Sequence, residues 1–141
     1  MKTLKSIALG FALLATVCVA KAADKPAERL SKNYAINTYI DAMTRGKLAG
    51  MNDVLDATAK FSMLRGTKVM SYGKPEMLGF LKANQNIEQG CTISTSEVES
   101  NENVSVVKVD MKYPGFVRSN YVTVANTGEG WKITNVYSVF K

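Results

Sequence analysis

Asn120-Tyr121-Val122-Thr123-Val124, followed by Trp131-Lys132-Ile133, is the stretch whose reading decides the fold. Its first arm alternates, which places Asn120, Val122 and Val124 on one face of a sheet and Tyr121 and Thr123 on the other. An amide that shares a face with two valines either looks into a pocket or sits at the edge of a core. Between the arms, Asn126-Thr127-Gly128-Glu129-Gly130 is rich in residues that tolerate positive φ, so the two arms are expected to form a hairpin.

Working outward, the same period continues on both sides. Val107, Val109, Met111 and Tyr113 alternate with Lys108, Asp110 and Lys112, and Pro114-Gly115 separates this strand from the hairpin. A last arm runs on to Phe140. Upstream, residues 91–98 carry Ile93 among serines and threonines and read as another strand. Ala59, Phe61 and Met63 alternate with Thr58, Lys60 and Ser62, and Arg65-Gly66 turns that strand into residues 67–72.

The remaining segments follow helical spacing. Gly73-Lys74-Pro75-Glu76 starts a helix whose buried side is Met77, Leu78 and Leu81. Asp24, Pro26 and Glu28 read as an earlier helix start. Ile36, Tyr39, Ile40 and Met43 then recur at i, i+3, i+4 and i+7, and Gly46 closes the segment. Leu48, Met51, Val54 and Leu55 suit a short second helix. Helices first and an antiparallel sheet afterwards make an α+β domain rather than alternating βαβ units. There are no internal repeats and no interior linker.

The first 22 residues stand apart. Lys2 and Lys5 precede an uncharged apolar run over residues 6–20, and Ala20 and Ala22 are placed as the small residues of a signal-peptidase site. The run is shorter than the roughly 20 residues of a membrane-spanning helix. A cleaved secretory signal over 1–22 is therefore expected, with the folded domain over 23–141 and a periplasmic or secreted location. Val17 stands where a lipidation motif at Cys18 would need a small residue. Removing residues 1–22 from the 141 leaves 119, and removing Lys2, Lys5 and Lys21 takes the net charge from +6 to +3. The remaining basic residues are interleaved with acids, so no nucleic-acid partner and no membrane insertion after cleavage are expected.

Composition narrows the chemistry. The chain has no histidine, which excludes Ser-His-Asp triads, Cys-His dyads and histidine-bearing zinc sites. Cys91 is the one cysteine of the mature chain, so it has no internal disulfide partner and reads as a buried thiol. No metal and no cofactor are expected. Glu97 and Glu99 share a face of their expected strand, with Glu102 in the following turn; this is an edge of solvated acids. Asp53 and Asp56 lie three apart near a helix end, where Asp56 suits a turn or cap.

Tyr39-Ile40-Asp41-Ala42-Met43-Thr44-Arg45-Gly46, then Asp56-Ala57-Thr58-Ala59-Lys60-Phe61, then the hairpin, resembles in order and spacing the nuclear-transport-factor-2-like (NTF2-like) superfamily. Asn120-Tyr121 and Trp131-Lys132-Ile133 are most similar to its branch carrying a lumazine-binding label, next to the SnoaL-like proteins. The resemblance implies a cone: a curved antiparallel sheet wrapped over three helices, with an apolar pocket, often in a homodimer formed through the sheet. Ketosteroid isomerase shares this fold, with an oxyanion hole made of a tyrosine and a protonated aspartic acid, and an aspartate base. By motif register these positions fall on Tyr39, Asn120 and Phe61.

Phenylalanine cannot abstract a proton, and general-base catalysis contributes roughly 10²–10⁴-fold, so the resemblance points away from that chemistry here. It implies instead that Tyr39 and Asn120 anchor the polar end of a small, mostly apolar ligand, with Phe61, Met63 and Val122 along the wall. The alternatives are an isomerase- or dehydratase-type enzyme using Asp41, Asp56 or Asp110, and a homodimeric interaction protein whose cone is filled. Asp110 alternates with Val109 and Met111 and should face away from them.

Overall fold

A computed structural model describes residues 27–141. The export signal expected over 1–22 and the Asp24 and Pro26 helix start lie outside the described residues. A single 3-10 turn, Ala27–Leu30, leads into helix α1, Lys32–Arg45. Ser31 caps α1: its hydroxyl accepts from the Tyr34 N–H at 3.1 Å, satisfying one of the helix's unpaired donors. Helix α2 is the single turn Met51–Val54, and α3 is Lys74–Ala83. Pro75 sits in the first turn of α3, and the Glu76 carboxylate accepts from the Gly73 N–H.

Six strands make one sheet: β1 Leu55–Arg65, β2 Lys68–Gly73, β3 Thr92–Ser100, β4 Val104–Tyr113, β5 Phe116–Thr127 and β6 Gly130–Phe140, in the order β2-β1-β6-β5-β4-β3. The sheet is curved and unclosed. Every neighbouring pair is antiparallel except β1 and β6, the second and third strands in that order, which run parallel. An all-antiparallel sheet is the simpler reading of the sequence. Pairing between the first and last strands depends on how the helices fold across them, which strand periodicity does not record.

One face of the sheet carries the core. Val107, Val109 and Met111 of β4, Val122 and Val124 of β5, Ile133 and Val136 of β6, and Ala59 and Phe61 of β1 form a single buried cluster with the helices. Each large apolar side chain so buried contributes roughly 1.5–3 kcal/mol relative to exposure. On α1 the buried stripe is Ala35, Ile36, Thr38, Tyr39 and Ala42, while Ile40 and Met43 are only half-buried. The stripe is thus rotated from the expected one. Small residues at 35, 38 and 42 let the helix axis lie close to the sheet, and this favours them over the bulkier pair.

Three irregularities shape the sheet. Between Leu55 and Lys60, β1 carries more residues than β6 opposite it, and the excess forms a bulge at Asp56-Ala57-Thr58. There the Asp56 carboxylate accepts from the Thr58 N–H at 2.9 Å and from the Thr58 hydroxyl, the turn role expected for it. These hydrogen bonds hold the Asp56 carboxyl below its ordinary range. A second bulge on β6 passes Thr134 between Ile133 and Asn135, against Val124 and Thr123 of β5. The third, at Val98, splits the acidic pair: Glu97 lies opposite buried Val107, whereas Glu99 lies opposite Val106 on the other face. The expected shared face is therefore wrong. An unbroken alternation would put both carboxylates on one face, and the one inserted residue inverts it. Glu97 pairs with Lys32 at the start of α1 and accepts from the Ser105 hydroxyl at 3.0 Å, fastening the helix to this end of the sheet.

Glycine is required at two closures. Gly46 ends α1 at φ 64°, and a Cβ there would stand 2.5 Å from the Asn86 nitrogen and 2.7 Å from the Asn84 oxygen. Its carbonyl accepts from Asn86 N at 3.0 Å, and the Thr44 carbonyl accepts from Gln89 N at 2.6 Å, so the segment after α3 lies along the end of α1. In the hairpin, positive φ falls not on Gly128 but on Gly130 (φ 101°), where a Cβ would meet the Leu30 backbone at 2.9 Å.

Candidate functional site

The register of β4, β5 and β6 brings three polar residues, Arg118, Asn120 and Ser138, onto the apolar inner face. Asn120 lies opposite Val109 on one side and Ser138 on the other, and Arg118 precedes it by two on the same face. Asn120 is fully buried. Its Nδ2 donates to the Val109 carbonyl at 3.2 Å, and its Oδ1 accepts from Arg118 Nε at 3.1 Å and from Ser138 Oγ at 2.6 Å. Arg118 Nη2 also donates to Ser138 Oγ at 3.3 Å. These bonds fix the amide's orientation, because the oxygen must face the guanidinium and the nitrogen the carbonyl. A buried polar network is stabilising only when its members are satisfied in this way.

Tyr39 projects from α1 into the same interior and is completely buried. Its hydroxyl has no hydrogen-bond partner among the described residues. Burial pushes its pKa up to about 12; the Arg118 guanidinium pulls against that shift and Tyr113 adds to it. The three side chains therefore share one electrostatic environment. At the rim, burial and then the neighbouring Cys91 thiol push the Tyr113 phenol up, and its hydroxyl reaches Gln89 Oε1 at 3.5 Å.

The other expected wall residues lie beside this group. Phe61 is buried and pairs with Val136 of β6 and Tyr72 of β2. Val122 is fully buried opposite Val107 and Val136. Met63, half-buried, lies opposite Ser138, one step from Asn120 across the sheet. The structure thus brings Tyr39, Phe61, Asn120 and Val122 to one buried interior, while Met63 stands half-buried outside the core cluster. The amide is used differently from the expectation: one of its N–H groups is committed to Val109, and its oxygen steadies Arg118.

Arg118 and Ser138 were missed from the sequence. Extending the Asn120-Val122-Val124 alternation back by two residues would have flagged a cation on the apolar face. Ser138 needed the β5–β6 register, which the Thr134 bulge shifts. The carboxylates considered earlier point elsewhere. Asp110 is on the outer face, where it accepts from Ser119 Oγ at 2.7 Å and lies 3.6 Å from Lys108 Nζ. Asp41 pairs at 3.6 Å with Arg45 on the exposed side of α1. Among the described residues no three His, Cys, Asp or Glu side chains converge on a metal position, and no helix is long and apolar enough to cross a membrane.

Three surface depressions lie around the cone among the described residues, and Tyr39 lines none of the three. One of about 450 Å³ is lined by Arg65, Phe116 and Phe140 among others, and a second of about 380 Å³ by Asp53, Asp56, Lys74 and Lys132 among others. A third, of about 290 Å³, lies between the start of α1 and β3.

The model of the family described as Putative lumazine-binding matches residues 30–138. No curated protein matches the chain in sequence. An NTF2-like protein of unknown function from Silicibacter pomeroyi shares the fold at a TM-score of 0.62 and 16% identity, over 77% of this chain and 90% of the other. A protein of unknown function from Pectobacterium atrosepticum aligns at 0.61 and 18% identity, over 82% and 93% of the two chains. A protein from Shewanella frigidimarina, described as a putative ketosteroid isomerase, aligns at 0.50 and 17% identity, over 74% and 91%. At such identities these likenesses speak for the fold alone, and the stretch matched by the family model takes in the three helices, β1 to β5, β6 as far as Ser138, and the Tyr39-Arg118-Asn120-Ser138 group. The chain belongs to the Putative lumazine-binding family and has the NTF2-like fold.

Proposed function

We propose that the mature chain is an exported, periplasmic or secreted protein that binds a small, mostly apolar ligand at the inner face of its cone without transforming it. The observation that carries this reading is the Tyr39 hydroxyl, wholly buried, without a partner among the described residues, and under the influence of a held guanidinium. A buried hydroxyl without a hydrogen bond costs about 1–3 kcal/mol, which a ligand's polar atom would recover. Phe61, Met63 and Val122 supply the apolar wall, and Asn120 acts through Arg118. The family's name supports ligand binding, and lumazine is the natural first probe.

Two observations support a non-catalytic role. Phe61, at the register of a base, has no titratable atom, and Asp110 is turned to the outer face. A homodimer through the outer face forms part of the same proposal: Tyr121, Tyr137 and Val139 lie half-exposed there around Ser119. Native mass spectrometry of the exported protein, followed by lumazine titration of wild type and Tyr39→Phe, tests both parts. The expected result is a dimer that retains or takes up small-molecule mass, with affinity falling roughly three- to tenfold in Tyr39→Phe, the worth of one hydrogen bond. A protein that carries and takes up no small molecule would sink the binding reading.

A further inference from the structure

At the cone's open end two arginines stand without an ion pair among the described residues. Arg65 and Arg118 both approach the Phe140 ring, their guanidinium carbons 5.2 and 5.5 Å from its centroid. The two charges are thus no farther apart than the sum of those distances, about one Debye length at moderate salt. Among the described residues neither forms an ion pair. Arg118 spends Nε and Nη2 on Asn120 and Ser138, which fixes its plane and leaves Nη1 without an acceptor among the described residues.

The backbone opens at the same place. Pairing of β1 with β6 ends at Met63 and Ser138, although β1 continues to Arg65 and β6 to Phe140. The open depression of about 450 Å³ lies in that split, with Arg65, Phe116 and Phe140 on its sides. Tyr113 stacks on Phe116 with ring centroids 4.7 Å apart and planes 9° apart, and Phe116 lies 6.4 Å from Phe140. An aromatic wall therefore adjoins two guanidinium groups without ion pairs, and the Tyr39 hydroxyl, buried and without a partner among the described residues, feels the Arg118 charge.

We infer that this end of the cone is a binding site for an aromatic carboxylate: the carboxylate meets Arg118, with Arg65 adding charge, and the ring lies against Phe116 and Phe140. The inference rests on the ligand-binding reading above and names the chemistry of its ligand. Arginine suits a carboxylate because its planar fork offers parallel donors, and Asn120 and Ser138 position that fork in advance. Bringing an anion between two like charges also removes their mutual repulsion.

The test is a calorimetric titration with 2-naphthoate and its neutral isostere 2-naphthalenemethanol, on wild type, Arg118→Met and Arg65→Met. Wild type should prefer the carboxylate about tenfold or more, the worth of a charge-assisted hydrogen bond. Arg118→Met should abolish the preference and Arg65→Met should reduce it severalfold; added salt should shrink it in wild type. Equal affinity of wild type for the two probes overturns the anion inference and leaves the pocket reading standing. Binding of neither probe overturns the inference, and when lumazine also fails to bind, the pocket reading falls with it. If Arg118→Met does not fold, Arg65→Met, which breaks no side-chain hydrogen bond among the described residues, decides alone: an unchanged preference overturns the inference.

Discussion

Replacing Tyr39 by phenylalanine should make the ligand-free protein more stable. The hydroxyl is fully buried and has no partner among the described residues, so it was stripped of water on folding and received nothing in return. Protein substitutions place that cost at about 1–3 kcal/mol. Against it stands the void left by one oxygen atom, roughly 0.3 kcal/mol at the usual cost per unit of cavity volume. The net gain is about 0.7–2.7 kcal/mol. With an unfolding entropy near 2.1 cal/mol/K per residue, a domain of roughly this size shifts by about 4 °C per kcal/mol, so Tm should rise by about 3–11 °C. Urea denaturation and differential scanning calorimetry of both proteins, without added ligand, would measure it. A loss of 1 kcal/mol or more would refute the reasoning, because it would mean that the hydroxyl is hydrogen-bonded in solution. Added ligand should reverse the order by stabilising wild type more than the variant.

The same phenol sets an alkaline limit. Its folded pKa of about 12 lies above the unfolded 10.0, so the folded state holds the proton longer; stability is level below pH 9 and falls from pH 10 to 12 by on the order of 2–3 kcal/mol, a loss that Tyr39→Phe should lack when the two denaturation profiles are compared. Gly46→Ala should cost about 1–3 kcal/mol by urea denaturation, since it combines a left-handed φ of 64° with a Cβ 2.5 Å from the Asn86 nitrogen. Asn120→Ala should cost about 2–4 kcal/mol, because it strips the Val109 carbonyl of a donor and Arg118 of its acceptor; it should also abolish any preference for 2-naphthoate, which titration would read directly.

How much of this was legible in the chain varies with the reach of the interaction involved. The alternation at Asn120-Val122-Val124 and at Val107-Val109-Met111 named the buried face of two strands, because side-chain direction in a strand depends only on the parity of position. The ends of α1 and α3 were legible too, since glycine after α1 and proline within the first turn of α3 act through local backbone geometry. The bulges at Val98 and Thr134 were not. Each inserts one residue for reasons that lie on the neighbouring strand, and each inverts the parity beyond it. Reading Glu97 and Glu99 as one face failed for that reason. The apolar stripe of α1 was misplaced by part of a turn, because tight packing on a curved sheet rewards small residues over large ones.

For the candidate site, the chain by itself determined the inventory: a tyrosine on the first helix, an amide on an apolar strand face, a phenylalanine at the register of a base, and no histidine anywhere. Only the tertiary structure decided what these groups do to one another. Tyr39 and Asn120 come to one interior because α1 lies across β5 and β6, and the amide turns its oxygen to Arg118 because Val109 and Ser138 flank it in the register. The parallel meeting of β1 and β6 puts Met63 opposite Ser138 and brings Arg65 to Phe140. Each of these relations joins residues far apart in sequence, so their energies depend on distances that no local pattern encodes.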